Sequence, residues 1–176
     1  MTEERSGEAF ELGEQLTVVG GKLKVGDRAP SYALDRFDGS SVSSVRLADT
    51  AGSVRILATV NSLDTPVCEV ETRRWEERRG GLPEDLVLYT VSMDLPFALA
   101  RWQSSAGVGH VLLSSHRSED FGRDYGVLIK EWRLLQRAVF VLDRDDTVAY
   151  TEYVADQMAE PDYQAALDSA LACLGH

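Results

Sequence analysis

Two mainly apolar runs dominate the chain, at residues 54–60 and 86–92. Their length and their aliphatic and β-branched residues are typical of strands that are buried in a sheet. Between them, residues 66–79 begin with a proline, which is favoured in the first turn of a helix, and end before a pair of glycines, which favour helix termination. The pattern therefore predicts two adjacent central strands that are joined by a helix.

The remaining patterns predict a mixed arrangement of strands and helices. Alternating runs broken by glycine predict an N-terminal hairpin over residues 10–21, whereas residues 1–9 are polar and without period, so we expect them to be disordered. A second antiparallel hairpin is predicted for residues 138–143 and 147–153. The other predicted elements are helices at 95–104 and 161–174 and short strands at 44–47 and 111–113. Together they describe an α/β sandwich with a mixed central sheet. We expect a single domain over residues 10–176.

Charge and cysteine content narrow the possible functions. The chain has 176 residues, with 18 Lys and Arg against 29 Asp and Glu and a net charge of -11. A protein this acidic lacks the basic surface that binding to nucleic acids or anionic membranes requires. The chain shows neither a secretory pattern nor an apolar stretch long enough for a membrane span, so we expect a cytoplasmic protein. Cys68 and Cys173 form neither a CxxC pair nor a zinc set, and the histidines are scattered, so we expect no metal and no cofactor.

Cys68 lies where the first central strand gives way to the helix. Thr65 is a favourable N-cap residue and Pro66 suits the first helical position, which places Cys68 in the first helical turn. Free backbone N–H groups and the positive end of the helix dipole lie in that turn, and both stabilise a thiolate. The pattern therefore allows a reactive nucleophile. It equally allows an inert, packed thiol, because free cysteine is among the most buried residue types.

Several segments together resemble the bacterial thiol peroxidases, the atypical two-cysteine branch of the peroxiredoxins. These segments are Leu23–Pro30 (LKVGDRAP), Ser62–Cys68 (SLDTPVC), Val91–Ala98 (VSMDLPFA), Tyr125–Val127 (YGV), Arg137–Val139 (RAV) and Glu160–Tyr163 (EPDY). The resemblance implies a thioredoxin-like fold with an added N-terminal hairpin, and a homodimer. It implies that Cys68 attacks the peroxide, that the Thr65 hydroxyl contacts thiolate and peroxide, and that Arg137 stabilises thiolate and transition state. A guanidinium suits that task because it is always charged and offers several fixed donors.

Two positions depart from the family pattern. The family motif Pro-x-x-x-Thr-x-x-Cys begins with a proline that shields the thiolate, and this chain has Asn61 there, whose amide is able to donate a hydrogen bond to the sulfur or the peroxide. The family's resolving cysteine follows an arginine and an aromatic residue, and this chain has Gln103 at that position. The intramolecular disulfide of the family therefore cannot form.

Without a resolving cysteine, a sulfenic acid at Cys68 needs another reductant. Cys173 is one candidate, but the apolar stripe of the C-terminal helix favours a packed thiol there. We therefore expect a thiol peroxidase that reduces hydrogen peroxide or organic hydroperoxides by a one-cysteine mechanism, with a thioredoxin-like protein or a low-molecular-weight thiol as reductant. The alternative is a degenerate peroxiredoxin that acts as a redox sensor or protein-binding module. The intact Thr65, Cys68 and Arg137 favour the enzyme, whereas Asn61 and Gln103 favour the alternative.

Overall fold

The computed structural model describes residues 1–175, which fold around a seven-stranded mixed sheet and a four-stranded antiparallel sheet. The strands are β1 (Glu4–Glu11), β2 (Glu14–Val19), β3 (Ala33–Phe37), β4 (Val42–Arg46), β5 (Val54–Thr59), β6 (Leu86–Ser92), β7 (Val111–Ser114), β8 (Leu128–Ile129), β9 (Leu134–Leu135), β10 (Ala138–Leu142) and β11 (Val148–Tyr153). The helices are α1 (Pro66–Arg79), α2 (Pro96–Ala106), α3 (Asp120–Asp124) and α4 (Tyr163–Leu174), with a 3-10 turn at Leu47–Thr50. The larger sheet has the order β11-β10-β5-β6-β7-β3-β4.

The strands β5 and β6 form the parallel centre of the larger sheet. Ile56 pairs with Leu88 in their register, and β10 pairs antiparallel with the other edge of β5. Every residue of β5 is buried. A strand that is covered on both faces exposes neither set of side chains, and this is why its sequence is a nearly continuous apolar run. The prediction of two adjacent central strands is confirmed.

Side chains of the sheet alternate between two apolar layers. On one face, Ile56 of β5 lies in the same cluster as Trp75 of α1 and Leu167 of α4. On the other face, Leu57 of β5 lies in a cluster with Phe121 of α3. This alternation follows from the two-residue period of a strand, and it places α1 directly over the strands from which it emerges.

The N-terminal hairpin of β1 and β2 continues into the four-stranded sheet, whose order is β1-β2-β8-β9. The predicted hairpin and mixed sheet are therefore present. The expectation of disorder over residues 1–9 is wrong for residues 4–9, which belong to β1. The guanidinium of Arg5 is buried and donates to the backbone carbonyl oxygens of Gly20 and Gly126, which ties β1 to the rest of the molecule.

A hairpin of β3 and β4 completes the edge of the larger sheet. The two strands meet at Asp38, whose carboxylate accepts hydrogen bonds from the backbone N–H groups of Ser40 and Ser41. The pattern of the sequence had indicated only the second of these strands.

Within residues 1–175, none of the helices combines the length and the apolar character needed to cross a membrane.

Candidate active site

The loop after β5 is tied to the loop after β6 by one carboxylate. Ser62 donates from Oγ to Oδ1 of Asp94 at 2.7 Å, and the backbone N–H of Leu63 donates to Oδ2 of Asp94 at 3.0 Å. Because β5 and β6 are parallel, both loops leave the sheet at the same edge. Asp94 therefore fixes the segment that leads into α1 against the edge of the sheet.

Thr65 is the N-cap residue of α1 and Pro66 is its first helical residue, as the sequence predicts. Cys68 consequently lies in the first helical turn. The Thr65 hydroxyl does not cap the helix, because its Oγ1 donates instead to the carbonyl oxygen of Ser62 at 2.7 Å. Thr65 thus stands three residues before Cys68, and its part in the reaction remains a prediction.

Cys68 is fully buried, with 0% of the residue exposed to solvent. Nη2 of Arg137 donates a hydrogen bond to Sγ at 3.4 Å, and the Cys68 thiol donates to Oδ1 of Asn61 at 4.0 Å. Leu63 and Leu99 belong to the apolar cluster around the sulfur. The fold therefore brings together Cys68 and Arg137, which are far apart in the sequence. A guanidinium in surroundings of low polarity strongly stabilises a negative charge on the sulfur.

Arg137 is held in place by groups from two other segments. Nη1 donates to Oε2 of Glu71 at 2.5 Å, and Nη2 also donates to the backbone carbonyl oxygen of Gln157 at 2.8 Å. Burial disfavours the charged guanidinium, but Glu71 and Cys68 more than offset this, and the pKa of Arg137 is raised above its usual value. Arg137 therefore stays a cation at the sulfur under all ordinary conditions.

Glu71 is a fully buried carboxylic acid one helical turn after Cys68. Burial raises its pKa to about 7, although hydrogen bonds from Arg137 and from Nε1 of Trp75 act in the opposite direction. The site thus holds one permanent cation between two acids. Sequence reasoning missed Glu71, although its spacing of three residues from Cys68 on a predicted helix would have placed both on one face.

Asn61 does not play the role that its amide suggested. Its Nδ2 donates to the carbonyl oxygen of Leu135 at 2.7 Å and to Oε1 of Gln157 at 3.1 Å, so the oxygen rather than the nitrogen faces Cys68. Gln157 was also missed from the sequence. It belongs to an irregular segment between β11 and α4, where no periodic pattern draws attention to it.

Gln103, at the position of the family's resolving cysteine, lies on α2. Its Nε2 donates to the backbone carbonyl oxygen of His110 at 2.8 Å, and the His110 ring is hydrogen bonded through Nδ1 to Oε2 of Glu76 at 2.8 Å. Gln103 therefore links the end of α2 to the segment before β7. Its neighbour Trp102 packs against the cluster that contains Cys68.

Cys173 lies half-buried on α4, where it packs against the apolar layer between α4 and the sheet. Burial raises the pKa of its thiol, and the carboxylate of Asp143 adds to this effect. Arg137 and Asp143 flank β10 at its two ends, six residues apart, which is about 20 Å along a strand. The two cysteines thus lie near opposite ends of one strand, and this arrangement supports the packed interpretation of Cys173.

Comparisons with known sequences agree with the resemblance. A family model described as the AhpC/TSA family matches residues 25–151. The thiol peroxidase of Streptococcus pneumoniae is 46% identical over 162 residues, which cover 92% of this chain and 97% of that protein. The thiol peroxidase of Bacillus subtilis is 44% identical, with coverage of 91% and 94%.

Solved structures of peroxiredoxins have the same fold as this chain. A peroxiredoxin-like protein from Aquifex aeolicus superimposes with a TM-score of 0.86 at 35% identity and covers 98% of both chains. A thiol peroxidase from Chromobacterium violaceum superimposes with a TM-score of 0.78 at 27% identity, covering 96% and 97%. These matches confirm the thioredoxin-like fold and favour the peroxidase over the degenerate sensor or binding module. The chain therefore belongs to the AhpC/TSA family, and its activity is the thiol-dependent reduction of peroxides.

Proposed function

We propose that Cys68 is the peroxidatic nucleophile, that Thr65 and Arg137 are catalytic with it, and that the enzyme uses one cysteine and an external thiol. The observation that carries this proposal is the hydrogen bond from Nη2 of Arg137 to Sγ of Cys68 at 3.4 Å. A preorganised cation beside the sulfur stabilises the thiolate before the reaction. The same cation stabilises the charge that moves to the departing oxygen during it.

The hydroxyl oxygen of Thr65 is suited to accept a hydrogen bond from the peroxide. Its hydroxyl proton is directed to the carbonyl oxygen of Ser62. A hydroxyl oxygen has two acceptor positions besides its one proton, so Oγ1 remains able to accept the hydrogen of an incoming hydroperoxide. That hydrogen bond orients the O–O bond towards the start of α1, where Cys68 lies.

The chemical steps balance with one protein thiol. The Cys68 thiolate attacks one peroxide oxygen, the O–O bond breaks, and the departing oxygen takes a proton to leave as water or an alcohol. Cys68 is then a sulfenic acid. An external thiol attacks its sulfur and releases water to give a mixed disulfide. A second external thiol then restores the Cys68 thiolate and leaves as the disulfide of the reductant.

The reductant requires a local opening of α1, because Cys68 is fully buried. A shallow cavity of about 200 Å³ lies beside the first turn of this helix and includes Pro66, Val70 and Met158 in its lining. Val70 and Met158 are exposed apolar side chains. We place the approach of a thioredoxin-like protein or a low-molecular-weight thiol at this cavity.

The proposal includes a homodimer in the cytoplasm. The exposed apolar side chains Leu95 and Phe97 at the start of α2 are suitable for a subunit contact. Both cysteines are free thiols, as expected of a reducing compartment. Light scattering coupled to size-exclusion chromatography measures the assembly directly, and a monomer at micromolar concentration would contradict the dimer.

Peroxide consumption in single-cysteine variants tests the mechanism. We expect Cys68→Ser to abolish consumption with dithiothreitol as reductant, and Cys173→Ser, the matched control, to retain it. Arg137→Lys and Thr65→Val should each lower the rate constant for Cys68 oxidation by about 10²-fold or more, the scale of losing one preorganised donor. A Cys68→Ser variant that still consumes peroxide would overturn the assignment of the nucleophile.

A further inference from the structure

The orientation of the Gln157 side chain is fixed by its surroundings. Its Nε2 donates to the backbone carbonyl oxygens of Val154 at 2.8 Å and Ala155 at 3.0 Å, and its Oε1 accepts from the backbone N–H of Arg137 at 2.9 Å. Gln157 is 1% exposed. A flipped amide would set Nε2 against an N–H donor and Oε1 against two carbonyl oxygens, so one orientation alone satisfies the buried groups.

Gln157 in turn fixes the orientation of Asn61. The Asn61 amide nitrogen donates to Oε1 of Gln157 at 3.1 Å and to the carbonyl oxygen of Leu135 at 2.7 Å. Both of these partners are acceptors, so only the nitrogen fits there. Asn61 is 4% exposed, and its Oδ1 is left 4.0 Å from Sγ of Cys68. The sulfur therefore faces a fixed, buried hydrogen-bond acceptor.

An acceptor in this position discriminates between the protonated and the ionised states of Cys68. The S–H of the thiol donates to Oδ1 of Asn61 at 4.0 Å. A thiolate has no hydrogen to offer, and its charge is repelled by the carbonyl dipole of the Asn61 amide. A sulfenic acid carries an O–H group, and an O–H···O hydrogen bond spans about 2.7 Å between its oxygens. The gap of 4.0 Å between Sγ and Oδ1 accommodates the S–O bond and this hydrogen bond at an open angle.

We propose that Asn61 accepts a hydrogen bond from the sulfenic acid of Cys68 and thereby protects that acid from a second oxidation. The inference rests on the proposed function, because it requires a sulfenic acid at Cys68. In the second oxidation the ionised sulfenate attacks another hydroperoxide, the O–O bond breaks, and sulfinate and an alcohol or water are formed. Holding the proton on the sulfenic oxygen lowers the concentration of the attacking anion.

The charged groups around the sulfur act in different directions. Arg137, immediately before β10, favours the anionic forms of Cys68, whereas Glu71 of α1 opposes them when it is ionised. Glu160, in the segment before α4, adds negative charge near Glu71. Asn61 is uncharged, so it selects the protonated sulfenic acid by hydrogen bonding alone. The result is an intermediate that persists until an external thiol arrives, which suits an enzyme with Gln103 at the resolving position.

The ratio of the rate constants for the second and the first oxidation of Cys68 tests the proposal. Both are measured on the full chain by intact mass in a series of hydrogen peroxide concentrations. Asn61→Leu keeps the volume and removes the acceptor, and Asn61→Pro introduces the residue of the family motif. We expect either variant to raise the ratio about fivefold, the usual effect of losing one neutral hydrogen bond. Gln103→Leu, the same exchange at an amide away from the sulfur, is the matched control and should leave the ratio unchanged.

The pH dependence separates this role from a merely structural one. In the wild type, the second oxidation should accelerate as pH rises and the sulfenic acid ionises, and the half-maximal pH should be lower in Asn61→Leu. An unchanged ratio in both folded variants would overturn the proposal. The proposal would also be overturned if the rate constant of the second oxidation in the wild type did not vary with pH. This measurement does not depend on the folding of any variant. Failure of the proposed function would be distinguishable from failure of this inference, because no sulfenic acid would then be trapped on wild-type Cys68.

Discussion

The carboxylate of Glu71 accepts a hydrogen bond from the guanidinium of Arg137 at 2.5 Å, and no more than 1% of either side chain is exposed. The same guanidinium donates to Cys68. Two acids therefore share one cation in the buried interior of the protein. When Glu71 is ionised, it takes up part of the stabilisation that Arg137 offers to the thiolate, so the state of Glu71 affects the reactivity of Cys68.

Glu71→Gln should increase the reactivity of Cys68 near neutral pH. The variant keeps an oxygen that can accept from Arg137 but carries no charge, so the guanidinium then compensates the thiolate alone. We expect the rate constant for alkylation of Cys68 by iodoacetamide at neutral pH to rise relative to the wild type. Glu69→Gln, on the same helix but part-exposed and paired with Arg73, is the control and should change this rate constant little. A rate constant that stays constant or falls in Glu71→Gln would show that the two acids are not coupled.

Glu71 should also make stability depend on pH. Burial raises its pKa from 4.5 to about 7, so the folded protein binds this proton more tightly than the unfolded chain. Its contribution to stability is thus complete below about pH 4.5 and is lost as pH rises through about 7. His110 acts in the opposite sense, because burial lowers its pKa below 6.5 and its contribution is lost as pH falls.

The difference between wild type and Glu71→Gln isolates the Glu71 contribution. Relative to the variant, the free energy of unfolding of the wild type should decrease from pH 5 to pH 8. Urea unfolding of both proteins at these two pH values measures the change, and His110 cancels because it is present in both. A difference that stays nearly constant between these pH values would mean that Glu71 is ionised throughout and stabilised by Arg137.

The parts of the fold that the sequence predicts well are those with local signals. Pro66 and the glycines after Arg79 mark the ends of α1, and the predicted helix has the observed bounds. The first six residues of β1, residues 4–9, were missed because their order depends on long-range contacts. The buried guanidinium of Arg5 donates to backbone carbonyl oxygens, one of which belongs to Gly126, 121 positions along the chain. A polar, aperiodic segment gives no indication of such a partner.

The same distinction applies to the site. Cys68 and Arg137 were predicted because each belongs to a recognisable segment. The direction in which the Asn61 amide points was not predictable, since it depends on Gln157, which is 96 positions away. The identity of a residue gives its possible donors and acceptors, and only the folded structure decides which of them faces the sulfur.

Leu88→Ala tests the central packing of the sheet. Leu88 lies on β6, is 5% exposed and belongs to the layer beneath α1 and α4. Its truncation should lower the free energy of unfolding by about 2–5 kcal/mol, because a buried leucine loses its contacts and leaves a cavity. Leu171→Ala, on the exposed side of α4, is the control and should change the free energy by about 0.5 kcal/mol or less. Equal effects of the two substitutions in urea unfolding would contradict the observed burial.

Oxidation by one equivalent of hydrogen peroxide should yield a sulfenic acid on Cys68 and no disulfide with Cys173. Cys68 contacts Arg137 at one end of β10, and Cys173 lies near Asp143 at the other. A disulfide requires Cα atoms within about 7 Å of each other, whereas the strand separates these ends by roughly 20 Å. Intact mass should therefore show the gain of one oxygen, equally in Cys173→Ser. A loss of two hydrogens at monomer mass in the wild type, absent from Cys173→Ser, would instead identify Cys173 as the resolving residue and would require α4 to detach from the sheet in every catalytic cycle.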